Sequence, residues 1–224
     1  MNVTNDEIMR YLKTADTTPG GRTSLLVEEI VCLFKKNITP KSIYGIYDCI
    51  VDSSSVTIDG MTITSVSLAK HLKGCRRAVL LAATLGVNTD TLIRKYSIQD
   101  MEKTLIAQSV CTAMIEAYID EIENDLLQLN ELNGFYKVPR FSPGYGDFDI
   151  TYQKDILKLL DTSRIGLSLT EGLMLIPSKS ITAVIGFSEE QKQASLKDSA
   201  LERCAPFRCT SCADTNCAFR EAVL

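Results

Sequence analysis

A long amphipathic run near the middle of the chain limits the possible folds more than any other feature. Between about residues 100 and 129, Ile115, Ile119, Ile122, Leu126 and Leu129 recur at intervals of four, three, four and three. That is the spacing of a continuous apolar stripe along one helix, so this segment should be the central packing element. Asp120, Glu121, Glu123 and Asp125 fall on its other faces and read as solvated, as acidic residues on a long helix usually are.

The segments around it alternate between helix and strand signals. Residues 5 to 14 and 23 to 36 carry apolar residues at helical spacing. From Lys41 to Ile63 strand formers dominate, and Asp59-Gly60 has the chemistry of a two-residue hairpin turn. Ser65 opens a short helix that Gly74 stops, and Ala78 to Ala83 reads as a buried strand leading to a helix over about 88 to 97. After a helix over about 151 to 161, which Asp147 or Asp149 could cap, strands are expected at 165–170, 173–176 and 180–186. Ser188 is expected to cap a last helix reaching about residue 200. Short polar connections between these strands make antiparallel neighbours, so the expected class is α+β, a largely antiparallel sheet packed with a long central helix and shorter helices.

Composition narrows the function classes. The chain has 224 residues and a formal charge of -4, without a lysine or arginine block, which argues against nucleic acid as a partner. No apolar run approaches the roughly 20 residues of a membrane span, and the N-terminus lacks the features of a secretory signal. A cytoplasmic location is expected. A Ser–His hydrolase would have to use His71, the only histidine, and no nucleophile motif accompanies it. His71 itself reads as a surface or satisfied side chain. Cys32, Cys49, Cys75 and Cys111 stand singly in apolar surroundings and read as buried thiols.

Arg140-Phe141-Ser142-Pro143-Gly144-Tyr145-Gly146-Asp147 has more chemistry than a turn requires. Pro143-Gly144 sets a tight bend, and an arginine and an aromatic flank it. With Gln153, the run Ile165-Gly166-Leu167-Ser168-Leu169-Thr170-Glu171, then Met174, Pro177 and Ser180, this stretch resembles the activation domain of cobalamin-dependent methionine synthase over about 60 residues. The resemblance implies that the loop binds S-adenosylmethionine and that the domain docks on a corrinoid-carrying protein to support reductive remethylation of cob(II)alamin. By that resemblance Arg140 holds the ligand carboxylate, Ser142 and Gly144 offer backbone contacts, Tyr145 lines the pocket, and Glu171 belongs to the same motif. The residue types suit the ligand: arginine grips carboxylates with paired hydrogen bonds, and an aromatic face meets a sulfonium or a base. The implied partners are a corrinoid-binding methionine synthase-like protein and a reductant such as flavodoxin or ferredoxin.

Cys204, Cys209, Cys212 and Cys217 form a separate signal at the C-terminal end. The first three have the spacing of a plant-type ferredoxin, and four thiolates also satisfy tetrahedral zinc. A 4Fe-4S cluster is the favoured expectation and zinc the alternative. The chain thus divides into residues 1–200, an activation-domain-like unit, and 201–224, a cysteine-rich tail. Two other functions remain open at this stage: a corrinoid-protein interaction module that binds no methyl donor, and an iron-sulfur electron-transfer protein.

Overall fold

The computed structural model describes residues 1, 3–12 and 21–190. The cysteine-rich tail and the helix expected after Ser188 lie outside the described residues, and Ser188 itself is the last residue of a strand. Two helices come first, α1 (Asn5–Tyr11) and α2 (Gly21–Asn37). Thr4 and Glu7 close a reciprocal capping box at the start of α1, which satisfies N–H groups that the first helical turn leaves unpaired. Then come β1 (Lys41–Val51), β2 (Ser55–Ile58), β3 (Met61–Thr64), α3 (Val66–His71) and β4 (Cys75–Thr84). The second half holds α4 (Val87–Gln99), α5 (Met101–Leu126), β5 (Tyr136–Lys137), α6 (Gln153–Leu160), β6 (Ser168–Leu169), β7 (Leu175–Ile176) and β8 (Ser180–Ser188).

Six strands make one sheet in the order β3-β2-β1-β4-β8-β5, and every pairing in it is antiparallel. The α+β expectation therefore holds. The Asp59-Gly60 hairpin is present, with both residues at positive φ, 47° and 77°, as a mirror-image turn requires.

β4 is the middle of the molecule, because helices cover both faces of the sheet. Its side chains alternate between two cores, as strand geometry demands. Val79, Leu81 and Ala83 pack with α1, α2, α4 and α5, whereas Ala78, Leu80 and Ala82 pack with α3, α6 and the loop around Phe141 and Phe148. All six of these β4 side chains are fully buried.

Two strand expectations shrink. The strand expected at 165–170 loses its start, because Ile165 ends a tight helical turn over Thr162–Ile165 that is bracketed by left-handed Asp161 and Gly166 at φ 48° and 72°. Only Ser168–Leu169 and Leu175–Ile176 pair, as a separate two-stranded hairpin. The cysteine expectation also needs correcting at one position. Cys49, Cys75 and Cys111 are buried, but Cys32 is exposed on α2. Burial pushes the Cys49 and Cys111 thiols up to about 12, which makes them inert packing groups.

Candidate functional site

The site grows from the edge of the sheet. After β5 the chain continues along β8: the Val138 N–H donates to the Gly186 carbonyl at 2.8 Å, and Phe141 exchanges two hydrogen bonds with Val184 at 2.9 and 2.8 Å. Along this edge Val138 and Phe141 enter the core beneath α3 and α6, which sends the intervening Arg140 toward α5.

There it meets three carboxylates. Arg140 Nη2 donates to Glu116 Oε2 at 2.6 Å, and Nη1 donates to Asp120 Oδ1 at 2.7 Å and to Glu123 Oε1 at 2.8 Å. Residues 116, 120 and 123 share one face of α5 because their spacing follows the helical repeat. Lys137 joins through its ammonium to Glu123. Burial works against the charged guanidinium, but the hydrogen bond and charge of Glu123, followed by Glu116 and Asp120, hold its pKa above the ordinary arginine value.

The expectation that the acidic residues of the long helix are simply solvated fails here. Glu123 is only 4% exposed, and Asp120 and Glu123 grip Arg140. Nothing local in the sequence marks Glu116. The missed signal was the register of 116, 120 and 123 on one helical face, together with a cation that only the fold brings to it.

In the ion pairs among the described residues two cations, Arg140 and Lys137, face three carboxylates, an excess of one negative charge. Tyr11 of α1 borders this cluster: burial first, then the negative charge of Glu116, raises the phenol's pKa. Among the described residues every carboxylate paired with Arg140 is held through Nη1 or Nη2, and none through Nε–H.

Beyond Phe141 the loop folds on itself. Gly144, at φ 94°, donates its N–H to the Phe148 carbonyl at 2.7 Å, and the Tyr145 N–H reaches the Ser142 carbonyl at 3.3 Å. Among the described residues the Ser142 N–H and the Gly144 carbonyl have no backbone partner, and the same holds for others in the loop, including the Pro143 carbonyl and the Gly146 N–H. Tyr145 is 54% exposed at the tip. Asp147 turns away to the start of α3. It accepts hydrogen bonds from the Ser65 hydroxyl at 2.5 Å, the Val66 N–H at 2.8 Å and the Ser67 N–H at 3.0 Å. The capping of the turn before α6 falls to Asp149 alone, whose carboxylate accepts from the Thr151 N–H at 2.8 Å.

Arg140, Ser142, Gly144 and Tyr145 are thus brought together on one edge. Glu171 is not joined to them by any hydrogen bond or ion pair among the described residues; it is exposed in the turn between β6 and β7. His71 is satisfied, with Nε2 at 2.7 Å from the Pro139 carbonyl oxygen and its ring on Phe141. Among the described residues no group of three or more His, Cys, Asp or Glu side chains is arranged to hold a metal ion, and no helix is long and apolar enough to cross a membrane. Cys204, Cys209, Cys212 and Cys217 lie outside the described residues.

Fold and site together define an α+β domain that presents a glycine-rich Arg–Tyr loop at the edge of an antiparallel sheet, backed by an acidic helix. Residues 69–196 match the family model described as vitamin B12 dependent methionine synthase, activation domain. The chain belongs to this family. The fold is also similar to a solved structure, titled as the crystal structure of the MetH reactivation domain bound to AdoHcy. The TM-score is 0.61 at 14% identity, covering 87% of this chain and 73% of that one. No curated protein matches.

Proposed function

We propose that this chain binds S-adenosylmethionine at the Arg140–Tyr145 loop and serves the reactivation of a cobalamin-dependent methyltransferase. The observation that carries the reading is the Arg140 cluster, which lies inside the family-matching region and combines a cation fork with surplus negative charge. S-Adenosylmethionine needs both, since it carries a carboxylate beside an ammonium and a sulfonium. In this reading the Nε–H edge of Arg140 takes the carboxylate, and Glu116 and Asp120 attract the ammonium. Ser142 N–H and Gly144 C=O supply backbone contacts, and the exposed Tyr145 ring meets the sulfonium or the base. That the solved relative is titled as bound to AdoHcy supports the same ligand class. Glu171 enters this proposal only through its place in the family motif.

The partner in this proposal is a corrinoid-binding, methionine synthase-like protein, whose cobalt would accept the methyl group. This chain's residues would position the donor and leave the hard chemistry to the corrinoid. The tail cysteines Cys204, Cys209, Cys212 and Cys217 would hold a 4Fe-4S cluster, or zinc in the alternative, and a cluster could relay an electron from a flavodoxin or ferredoxin. Anaerobic purification with iron, sulfide and zinc analysis decides between these metals.

Calorimetry with S-adenosylmethionine tests the main reading. Wild type should bind, and Arg140→Lys, which keeps the charge but loses the fork, should bind at least roughly ten-fold more weakly. No binding by wild type, or equal binding by Arg140→Lys, sinks the reading and leaves a corrinoid-protein interaction module. Co-purification then identifies which corrinoid protein the chain meets.

A further inference from the structure

We infer that Asp147 is a positioning residue: its carboxylate clamps the Gly144–Gly146 tip to the start of α3 and so fixes where Tyr145 stands. The inference rests on the reading that Tyr145 faces a ligand, and adds to it the device that holds the tyrosine in place.

A tip with two glycines at positive φ, Gly144 at 94° and Gly146 at 57°, is intrinsically free to move, because glycine loses more conformational entropy on ordering than any other residue. An exposed tyrosine on such a tip would sample many positions. Three features prevent that. Phe148 is buried at 1% exposure and returns an N–H to the Tyr145 carbonyl at 3.0 Å, anchoring one side of the tip. Gly146 lies against Ser67, so close that a Cβ there would meet its hydroxyl oxygen at 2.8 Å.

Asp147, the residue between those two anchors, spends both carboxylate oxygens on α3. Its partners Ser65, Val66 and Ser67 stand about 80 positions away in sequence. They also precede the stretch that the family model matches. The hydroxyl of Ser65 and then the two backbone N–H groups hold the Asp147 carboxyl well below the usual carboxylate range, so the clamp is charged at neutral pH. The Ser65 hydroxyl oxygen in turn accepts from the Leu68 N–H at 3.0 Å, which ties the clamp into the first turn of α3.

The chain contains no tryptophan, so Tyr145→Trp places a single fluorescent reporter at the tip. In that background Asp147→Ala should raise acrylamide quenching roughly two-fold, as a locally opened segment does, with circular dichroism unchanged. Asp147→Asn, whose amide oxygen can still accept from one backbone N–H, should recover part of the protection. Unchanged quenching in Asp147→Ala overturns the inference.

A double-mutant cycle on S-adenosylmethionine affinity then separates positioning from general structural damage. Asp147→Ala alone should weaken binding roughly three- to ten-fold, and should cost nothing further once Tyr145 is alanine. Losses that multiply mean that Asp147 does not act through Tyr145, and this also overturns the inference. If Tyr145→Ala binds as wild type does, the role of Tyr145 in donor binding is what fails, and the quenching result alone decides the clamp.

Discussion

The two ends of one short loop are held on opposite faces of the sheet by opposite physics. Arg140 is held on the α5 face, in a cluster where Glu123 is nearly buried and each partner balances another's charge. Asp147 is held on the α3 face, where an exposed carboxylate is saturated by a hydroxyl and two backbone N–H groups. A buried charge network is hard to break, because removing one partner leaves the others desolvated and unpaired. Solvent-facing hydrogen bonds cost less to lose, because water replaces them. Tyr145 stands between the two anchors, so its position depends on both.

The sharpest way to break this comparison is Arg140→Ala. It leaves Glu116, Asp120 and Glu123 facing one another with Lys137 as the one remaining cation paired to them among the described residues, and should destabilise the fold by about 3–5 kcal/mol in urea unfolding. A loss no larger than that of Asp147→Ala would mean that the α5 anchor is no stronger than the α3 one. Within the cluster, Glu123→Gln should cost roughly 2 kcal/mol, because a buried carboxylate that serves both Arg140 and Lys137 loses its charge. Asp120→Asn, at a side chain 62% exposed, should cost under about 1 kcal/mol. Reversal of that order would show that burial does not set the strength of this network.

How much of this could be read from the sequence follows the distance between the residues involved. The central helix, the Asp59-Gly60 hairpin and the antiparallel class come from local periodicity and turn chemistry, which neighbouring residues encode. The loop from Arg140 to Asp147 was visible for the same reason. Its anchors were not. Glu116 and Asp147's partners Ser65 to Ser67 lie 24 and about 80 positions from the residues they hold, and only the pairing of the edge segment with β8 brings them together. The strands expected around residues 165 and 173 shrank because left-handed turns at Asp161, Gly166 and Leu173 take up most of the backbone there.

The α3 anchor has its own pH signature. The folded pKa of Asp147 lies below the ordinary aspartate value of about 4, so its contribution is present above that pH and is lost as the pH falls toward the folded value. The gap in urea midpoint between wild type and Asp147→Asn should therefore be open near pH 7 and narrow below about pH 4. Because the carboxylate is exposed, the stability difference behind that gap should not exceed about 1 kcal/mol. A gap that persists undiminished at low pH would mean that the amide fails sterically, and that charge has no part in the clamp.

Glu171→Ala should give the smallest effect, within about 0.5 kcal/mol, as for a surface position with no partner among the described residues. Yet it is the change that best locates the boundary of the site. Glu171 sits on the β6–β7 turn, where Leu173 at φ 63° and the Thr170 hydroxyl, which accepts from the Met174 N–H at 3.0 Å, already fix the backbone. The glutamate side chain is not needed to shape that turn. Any loss of S-adenosylmethionine affinity in Glu171→Ala, at unchanged stability, would thus report a direct or ligand-bridged contact and extend the site from the sheet edge to this hairpin. Unchanged affinity would confine the donor to the surface between the two anchors, with Arg140 on one side and the Asp147-held tyrosine on the other.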